Sequence, residues 1–145
     1  MIRSFTIADL DSVMEIWLHT NIQSHSFIPR DYWTGNFDAV KSAISKAEVY
    51  VYEDDNTKQI DGFIGLTENF VEGLFIKSSA QSKGIGKLLL DFVKGIKSEL
   101  TLSVYLKNTR AVSFYMREGF WVKNESTDDF TGEKELLMVW HKQSI

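Results

Sequence analysis

The stretch from Phe70 to Ile96 constrains the fold of this chain more than any other part. An apolar run at 70–76 predicts a strand, and a polar turn at 77–80 follows it. The glycines Gly84 and Gly86 then open a segment with apolar residues at helical spacing: Ile85, Leu88, Leu89, Phe92, Val93 and Ile96. A helix start offers free backbone N–H groups and the positive end of the helix dipole, and glycines allow an anion to approach. We therefore expect a phosphate or pyrophosphate at residues 82–87.

Two common phosphate loops do not fit this segment. A Walker A loop needs Gly-Lys-Ser/Thr with a further glycine five positions before, but Leu88 follows Gly86-Lys87 and Gln81 holds the first glycine position. A dinucleotide fingerprint needs a third small residue where this chain has Leu89. The remaining pattern, Gln-x-x-Gly-x-Gly before an apolar helix, resembles the acetyl-CoA pyrophosphate loop of the GNAT N-acetyltransferases. An ordinary glycine-rich helix start is the alternative for this loop alone.

A second motif resembles the same family. Residues 108–120 follow the pattern Asn-x-x-Ala-x-x-Phe-Tyr-x-x-x-Gly-Phe and come after a predicted strand at 100–106. The aromatic residues between Trp17 and Trp33 resemble those of small bacterial members. The resemblance implies an α+β fold with a mixed, mainly antiparallel central sheet, helices on both faces and a splayed parallel strand pair. We place the splay between residues 70–76 and 100–106, joined by a right-handed crossover helix at 84–97.

The other elements follow from periodicity and breaking residues. A first helix begins near Leu10 and is broken at 21–26, and the single proline, Pro29, starts a second helix that extends to Ile44. Residues 124–132 are polar and predict a loop. A third helix is predicted at 84–97 and a fourth at 109–118, with strands at 2–5, 49–52, 60–67, 70–76, 100–106, 120–123 and 135–140.

Length and composition predict one cytoplasmic domain over residues 1–145. The chain is 43% hydrophobic and 25% charged, which is ordinary globular composition. It has no cysteine, which excludes disulfides, thiolate metal sites and a cysteine nucleophile. Neither a signal peptide nor an apolar run that could span a membrane is recognisable. The spacing of His19, His25 and His141 does not fit a common zinc site, so no metal is predicted.

The net charge of −4 bears on the partners. It argues against nucleic acid, because backbone binding needs clustered Lys and Arg, and it permits a cationic amine acceptor. No membrane partner is expected, and the chain is predicted to be a monomer or a homodimer. The resemblance implies an acyltransferase whose acceptor is expected to be a small amine, an amino acid, a peptide N-terminus or a protein lysine. A non-catalytic acyl-CoA-binding regulatory module remains the alternative function.

The resemblance implies acetyl-CoA as co-substrate and gives its contacts. The main chain of Leu74, Phe75 and Ile76 would pair with the pantetheine arm. Asn108 matches the family's amide contact near the far end of that arm, and it is equally suited to cap the following helix. The pyrophosphate would take backbone N–H groups of Ser82, Lys83, Gly84, Ile85, Gly86 and Lys87, with the two lysines adding charge.

The resemblance also implies direct acetyl transfer from the thioester to an amine. Tyr115 matches the family's proton donor to the leaving thiolate, and its alternative role is an aromatic that packs a helix on the sheet. Some relatives have a glutamate that acts as the general base at the position where this chain has Ser103. Glu72 is the best carboxylate candidate for the base, because strand alternation puts it on the face of apolar neighbours. Glu68, His25 and a chain of waters are alternatives.

Four residues in the segment that joins the first two helices and in the first turn of the second are candidate acceptor contacts, because in GNAT folds this region commonly covers the acceptor pocket. They are His25, Phe27, Tyr32 and Trp33. Core packing, and a satisfied loop histidine, is the alternative for each of them.

Overall fold

The computed structural model describes residues 1–143, so the last two residues of the predicted domain, 144 and 145, lie outside it. Its strands are β1 (Ile2–Ser4), β2 (Glu48–Glu53), β3 (Ile60–Thr67), β4 (Phe70–Ile76), β5 (Glu99–Tyr105), β6 (Trp121–Thr127) and β7 (Lys134–His141). Its α-helices are α1 (Leu10–Ser24), α2 (Arg30–Gly35), α3 (Phe37–Ile44), α4 (Ile85–Lys94) and α5 (Thr109–Arg117). Short 3₁₀ turns precede α1 and α4 at Ile7–Asp9 and Ser78–Ala80.

The sheet has one parallel strand pair, and that pair is splayed. Seven strands lie in the order β1-β2-β3-β4-β5-β7-β6, and every neighbouring pair except β4 and β5 is antiparallel. β4 and β5 pair only at Phe70 with Thr101 and at Val71 with Leu102. Beyond Val71 the strands part, at the place where the sequence predicted it. The predicted α+β fold with a mixed, mainly antiparallel sheet is confirmed.

Helices cover both faces of the sheet, and each face has its own core. Phe63 and Ile64 are neighbours in β3, point to opposite faces and are 2% and 0% exposed. Phe63 packs in the cluster that α1, α2 and α3 cover, whereas Ile64 packs in the cluster that α4 and α5 cover. Full burial of one such side chain stabilises the fold by roughly 1.5–3 kcal/mol, so the apolar cluster on each face contributes to holding its own helices on the sheet.

The helical region before the sheet differs from the prediction in two places. α1 continues through the predicted break to Ser24, because the buried Asn21 donates from Nδ2 to the Trp17 carbonyl oxygen at 2.9 Å within the helix. The predicted second helix is two helices, interrupted at Asn36 (φ −96°, ψ 0°). The Asn36 side chain donates to the Tyr32 carbonyl oxygen at 2.6 Å, a local bond that competes with regular helix.

Two further elements depart from the predicted pattern. α4 ends at Lys94, short of the predicted 97, and the predicted apolar stripe is only partly buried, since Leu88 is 49% exposed and Ile96, beyond the helix, is 50% exposed. β6 extends to Thr127, into the predicted loop, and all of its side chains are exposed. Its pairing with β7 comes from backbone hydrogen bonds, which need no apolar pattern, so the polar sequence did not reveal this edge strand.

An ion-pair network ties the first strand to its neighbours. Arg3 lies 2.8 Å from a carboxylate oxygen of Asp9 and 2.9 Å from one of Glu53. Asp9 also accepts the Thr6 backbone N–H at 2.8 Å, which is one half of a capping box before α1. The Arg3 guanidinium holds the pKa of the Asp9 carboxyl below its ordinary value.

Within residues 1–143, no helix combines the length and the apolar character needed to cross a membrane. The same part of the chain has no group of three or more His, Cys, Asp or Glu side chains that could hold a metal ion.

Candidate active site

A cavity of about 490 Å³ lies where β4 and β5 separate. Its wall comes from the end of α1, from β4, from the loop before α4 and from α5. The predicted site residues among its lining are His25, Leu74, Phe75, Ile76, Ser82, Gly84, Ile85, Gly86, Lys87, Asn108 and Tyr115. Most of the residues that the two motifs nominated are thus brought together around one cavity.

The outer half of β4 has one paired edge and one open edge. Leu74, Phe75 and Ile76 pair with β3 on one side. Their other side is left without a strand, since β5 pairs with β4 only at Phe70 and Val71. The backbone groups of this open edge can hydrogen-bond an extended ligand that carries amides, in the manner of an added strand.

The loop before α4 has the geometry of an anion site. Ser82 and Gly84 adopt positive φ of 67° and 81°, which turns the chain sharply into the helix. The first hydrogen bond into the helix runs from the Leu88 N–H to the Gly84 carbonyl oxygen at 3.1 Å, so the preceding N–H groups have no intrahelical acceptor. A Cβ built on Gly86 would lie 3.5 Å from the Phe114 ring, inside the cavity wall.

The positive charge at this loop differs from the prediction. Lys83 is exposed and does not line the cavity. Lys87 lines it, but its Nζ lies 3.1 Å from carboxylate oxygens of both Asp91 and Glu118. Arg110, which the sequence analysis did not nominate, donates to Gln81 Oε1 at 3.1 Å and to Ser82 Oγ at 3.4 Å. Its place two residues after Asn108 in the second motif was the available signal.

Gln81 ties the loop to the open strand edge. Its Nε2 donates to the carbonyl oxygen of Ile76 at 3.1 Å, while its Oε1 accepts from Arg110. The anion loop, the end of β4 and the first turn of α5 are therefore connected through one side chain. This connection sets the distance between the open edge and the helix start.

Tyr115 occupies the core and the cavity wall at once. Its side chain is 8% exposed and packs edge-on against Phe114 and Phe120, with ring centroids 5.3 and 5.5 Å away. It also lines the cavity. Burial raises the pKa of the Tyr115 phenol, so the hydroxyl stays protonated at neutral pH. Both roles considered for this residue are compatible with its position.

Asn108 caps α5 and determines which ring nitrogen of the neutral His25 carries the proton. Asn108 Oδ1 accepts the Ala111 N–H at 3.3 Å, which leaves Nδ2 to face His25 Nε2 at 3.2 Å. Because Nδ2 can only donate, Nε2 must accept, and the proton of the neutral imidazole is on Nδ1. His25 Nδ1 is buried without a partner among the described residues, and burial lowers the pKa of His25.

The other three predicted acceptor contacts surround His25 and do not line the cavity. Trp33 is 7% exposed and stacks on the His25 ring at 5.3 Å. Phe27 meets the same ring edge-on at 5.7 Å, and Tyr32 packs on Trp33 at 4.9 Å. Phe27, Tyr32 and Trp33 belong to or pack against the apolar cluster beside α1, whereas His25 reaches the cavity, so contact of these three with an acceptor stays a prediction.

The expected apolar surroundings of Glu72 are not found. A register shift pairs Gly73 with Gly65 and Val71 with Leu66, which leaves Glu72 unpaired on a bulge. The bulge breaks the simple alternation on which the prediction rested. Glu72 is exposed, and neither it nor the alternative Glu68 lines the cavity. Among the described lining residues the carboxylate is Glu118, which pairs with Lys87.

Comparison with known proteins finds acetyltransferases. A family model described as an acetyltransferase (GNAT) domain matches residues 45–122. The chain is 32% identical to the peptidyl-lysine N-acetyltransferase YiaC of Escherichia coli (strain K12) over 142 residues, which is 97% of this chain and 96% of that protein. It is 28% identical to the peptidyl-lysine N-acetyltransferase YjaB of the same strain, over 88% of this chain and 86% of YjaB.

Solved structures show the same fold. The solution structure of apo-form YjaB from Escherichia coli matches with a TM-score of 0.86 and 27% identity, over 99% of this chain and 98% of YjaB. A streptothricin acetyltransferase from Bacillus anthracis, solved in complex with acetyl coenzyme A, matches with a TM-score of 0.60 and 22% identity, over 67% and 63% of the two chains. With two sequence motifs, a splayed sheet and a family model in agreement, this chain belongs to the GNAT acetyltransferase family.

Proposed function

We propose that this protein transfers the acetyl group of acetyl-CoA to the side-chain amine of a lysine in a peptide or protein. The observation that carries the proposal is the cavity at the splay, which joins a helix start with free N–H groups to an open strand edge. The names of YiaC and YjaB support a lysine acceptor, and the acetyl-CoA complex of the streptothricin acetyltransferase supports the donor.

The donor has contacts along one side of the cavity. The pyrophosphate accepts hydrogen bonds from the N–H groups of residues 82–87, where the helix dipole also favours an anion. Arg110 adds a positive charge beside the loop, since its guanidinium already lies against Gln81 and Ser82. The amides of the pantetheine arm pair with the open edge of Leu74 to Ile76, which places the thioester toward Asn108 and His25.

The transfer step needs an oxyanion donor and a proton for the leaving group. The neutral amine attacks the thioester carbonyl carbon, and an N–H of the open β4 edge stabilises the oxyanion. When the C–S bond breaks, the Tyr115 hydroxyl donates its proton to the sulfur. A free thiol has a pKa of about 8.5, and apolar surroundings raise it, as they raise the pKa of the phenol.

The lysine ammonium must first lose a proton, because its unperturbed pKa is about 10.4. Glu72 lies outside the cavity lining, so its position does not favour the role of base. His25 lines the cavity, but its Nε2 accepts from Asn108 and its Nδ1 carries the proton, so we propose a chain of waters in the cavity as the proton acceptor.

The test is acetyl transfer by the purified protein to a panel of lysine peptides, followed by release of the CoA thiol and by tandem mass spectrometry. The expected result is thiol release that requires the peptide, with the acetyl group on a lysine Nζ. Tyr115→Phe is the matched control, because it removes only the hydroxyl. Acetylation of small amines but of no peptide lysine would overturn the proposed acceptor class. Absence of transfer to any amine would overturn the proposed function.

A further inference from the structure

Asn21 is a buried polar residue whose side-chain oxygen has no partner among residues 1–143. The residue is 4% exposed and lines the cavity from α1. Its Nδ2 donates to the Trp17 carbonyl oxygen at 2.9 Å, which fixes the orientation of the amide. Among the hydrogen bonds of residues 1–143 none reaches Asn21 Oδ1. Among residues 1–143 the sealed side-chain atoms without a partner are His25 Nδ1 and Trp33 Nε1, so Asn21 Oδ1 keeps some solvent contact, and the cavity is the space that Asn21 lines.

Asn21 lies across the sheet from the anion loop. α1 packs on the sheet face that carries Phe63, whereas α4 packs on the face that carries Ile64. The splay opens the sheet between these faces, and residues of both helices line one cavity. A donor held at the start of α4 therefore reaches its thioester from one face. The α1 wall, with Asn21 and His25 one turn apart, meets the thioester from the other face.

We infer that Asn21 Oδ1 accepts a hydrogen bond from the amine of the acceptor as it meets the thioester. This inference rests on the proposed function. An amide oxygen that faces the cavity without a protein partner can accept a hydrogen bond only from cavity water or from a ligand, so an amine N–H that arrives there can take the place of a water. An amine has more than one N–H, so one of them can be held while the lone pair attacks the carbonyl carbon. Asn21 is thus an acceptor-binding residue.

The variants Asn21→Leu and Asn21→Asp separate the oxygen from its surroundings. Asn21→Leu keeps a similar volume and removes the oxygen, whereas Asn21→Asp keeps an oxygen acceptor. The Trp17 carbonyl can keep its helical bond in both, because α1 is a regular helix at this point. Gln23→Leu is the matched control, since Gln23 lies on α1, is exposed and does not line the cavity.

The kinetic test uses a lysine peptide as acceptor and calorimetry with acetyl-CoA as the measure of a folded donor site. Asn21→Leu should lower kcat/KM for the peptide by roughly 10-fold, the loss of one hydrogen bond at the upper end of its usual range. The Kd for acetyl-CoA should stay within about twofold, since one hydrogen bond to the donor would change it more. Asn21→Asp should fall less, and Gln23→Leu should match the wild type. Unchanged kcat/KM, or a Kd for acetyl-CoA that rises as much as kcat/KM falls, would overturn the inference.

A binding readout keeps this inference apart from the proposed function. Nα-acetyl-lysine amide is titrated into the CoA-saturated protein, and the side-chain NH₂ signals of Asn21 are followed by NMR. These signals should shift, while those of Gln23 should not. Unshifted Asn21 signals at saturating ligand would overturn the inference. Shifted signals without any acetyl transfer would leave the contact standing and refute the proposed function.

Discussion

Replacing Gly86 by alanine should leave the fold at least as stable while weakening acetyl-CoA binding. Gly86 is the second residue of α4, where a glycine is less favourable than an alanine by up to about 1 kcal/mol. The added Cβ would lie 3.5 Å from Phe114 and 3.8 Å from Ile76, which are ordinary contact distances. Nothing in the described structure therefore opposes the methyl group, so a loss of affinity would report on the ligand.

The size of the loss follows from what the methyl group displaces. It would stand in the cavity wall at the helix start, where the pyrophosphate is proposed to take backbone N–H groups. A hydrogen bond to a charged group contributes about 1.5–3 kcal/mol, so losing one raises the Kd for acetyl-CoA about 10-fold or more. Gly84→Ala should behave differently, because its φ of +81° costs an alanine about 1–2 kcal/mol of fold stability.

The assay combines urea denaturation with calorimetric titration of acetyl-CoA. Gly35→Ala is the matched control, since a Cβ at Gly35 meets nothing within 4 Å and Gly35 does not line the cavity. The expected pattern is a stable Gly86→Ala with weak binding, a destabilised Gly84→Ala, and a Gly35→Ala that binds like the wild type. A stable Gly86→Ala with unchanged Kd would refute the idea that the pyrophosphate lies against this helix start.

The remaining predictions concern a proton donor, an ion pair and a tautomer. Tyr115→Phe should reduce turnover with little change in the Kd for acetyl-CoA, and unchanged turnover would exclude the acid role. Asp9→Asn should lower the free energy of unfolding by about 1.5–3 kcal/mol at pH 7, measured in urea. Because Arg3 lowers the pKa of Asp9, that difference should vanish as the pH falls below about 4, and a pH-independent difference would contradict the ion-pair account. Nitrogen-15 NMR should show His25 protonated on Nδ1 and titrating below about 6.5, because burial lowers its pKa, and an Nε2–H tautomer would contradict its bond to Asn108.

The anion loop could be predicted from sequence because it rests on a local signal, whereas the open strand edge was predicted from the resemblance to the GNAT family. The glycines at 84 and 86 follow the apolar run of β4 at a short distance and stand directly at a helix start. The positive φ of Gly84 is a backbone conformation that glycine adopts readily. The second motif placed Asn108 and Tyr115 on the cavity wall for the same reason.

The residues that sequence analysis missed or misplaced depend on distant packing. Glu72 left the expected face because a bulge interrupts the alternation of β4, and the neighbouring Gly73, a residue type that often marks a bulge within a strand, was the available signal. The predicted helix break began at Asn21. In the structure its Nδ2 donates a hydrogen bond within α1, and its Oδ1 has no partner among residues 1–143 at the cavity wall. Arg110 acts through Gln81, a partner 29 positions away in sequence. Such pairings are set by tertiary structure, which local patterns do not encode.

A crystal structure of the protein with acetyl-CoA is the most direct test of whether the donor binds in the splay between β4 and β5. The pyrophosphate oxygens should lie against the N–H groups of residues 82–87, and the pantetheine amides should lie along Leu74 to Ile76. The thioester should lie within reach of the Tyr115 hydroxyl. Acetyl-CoA bound away from the splay, or a splay closed by further β4–β5 pairing in the complex, would contradict this placement of the donor.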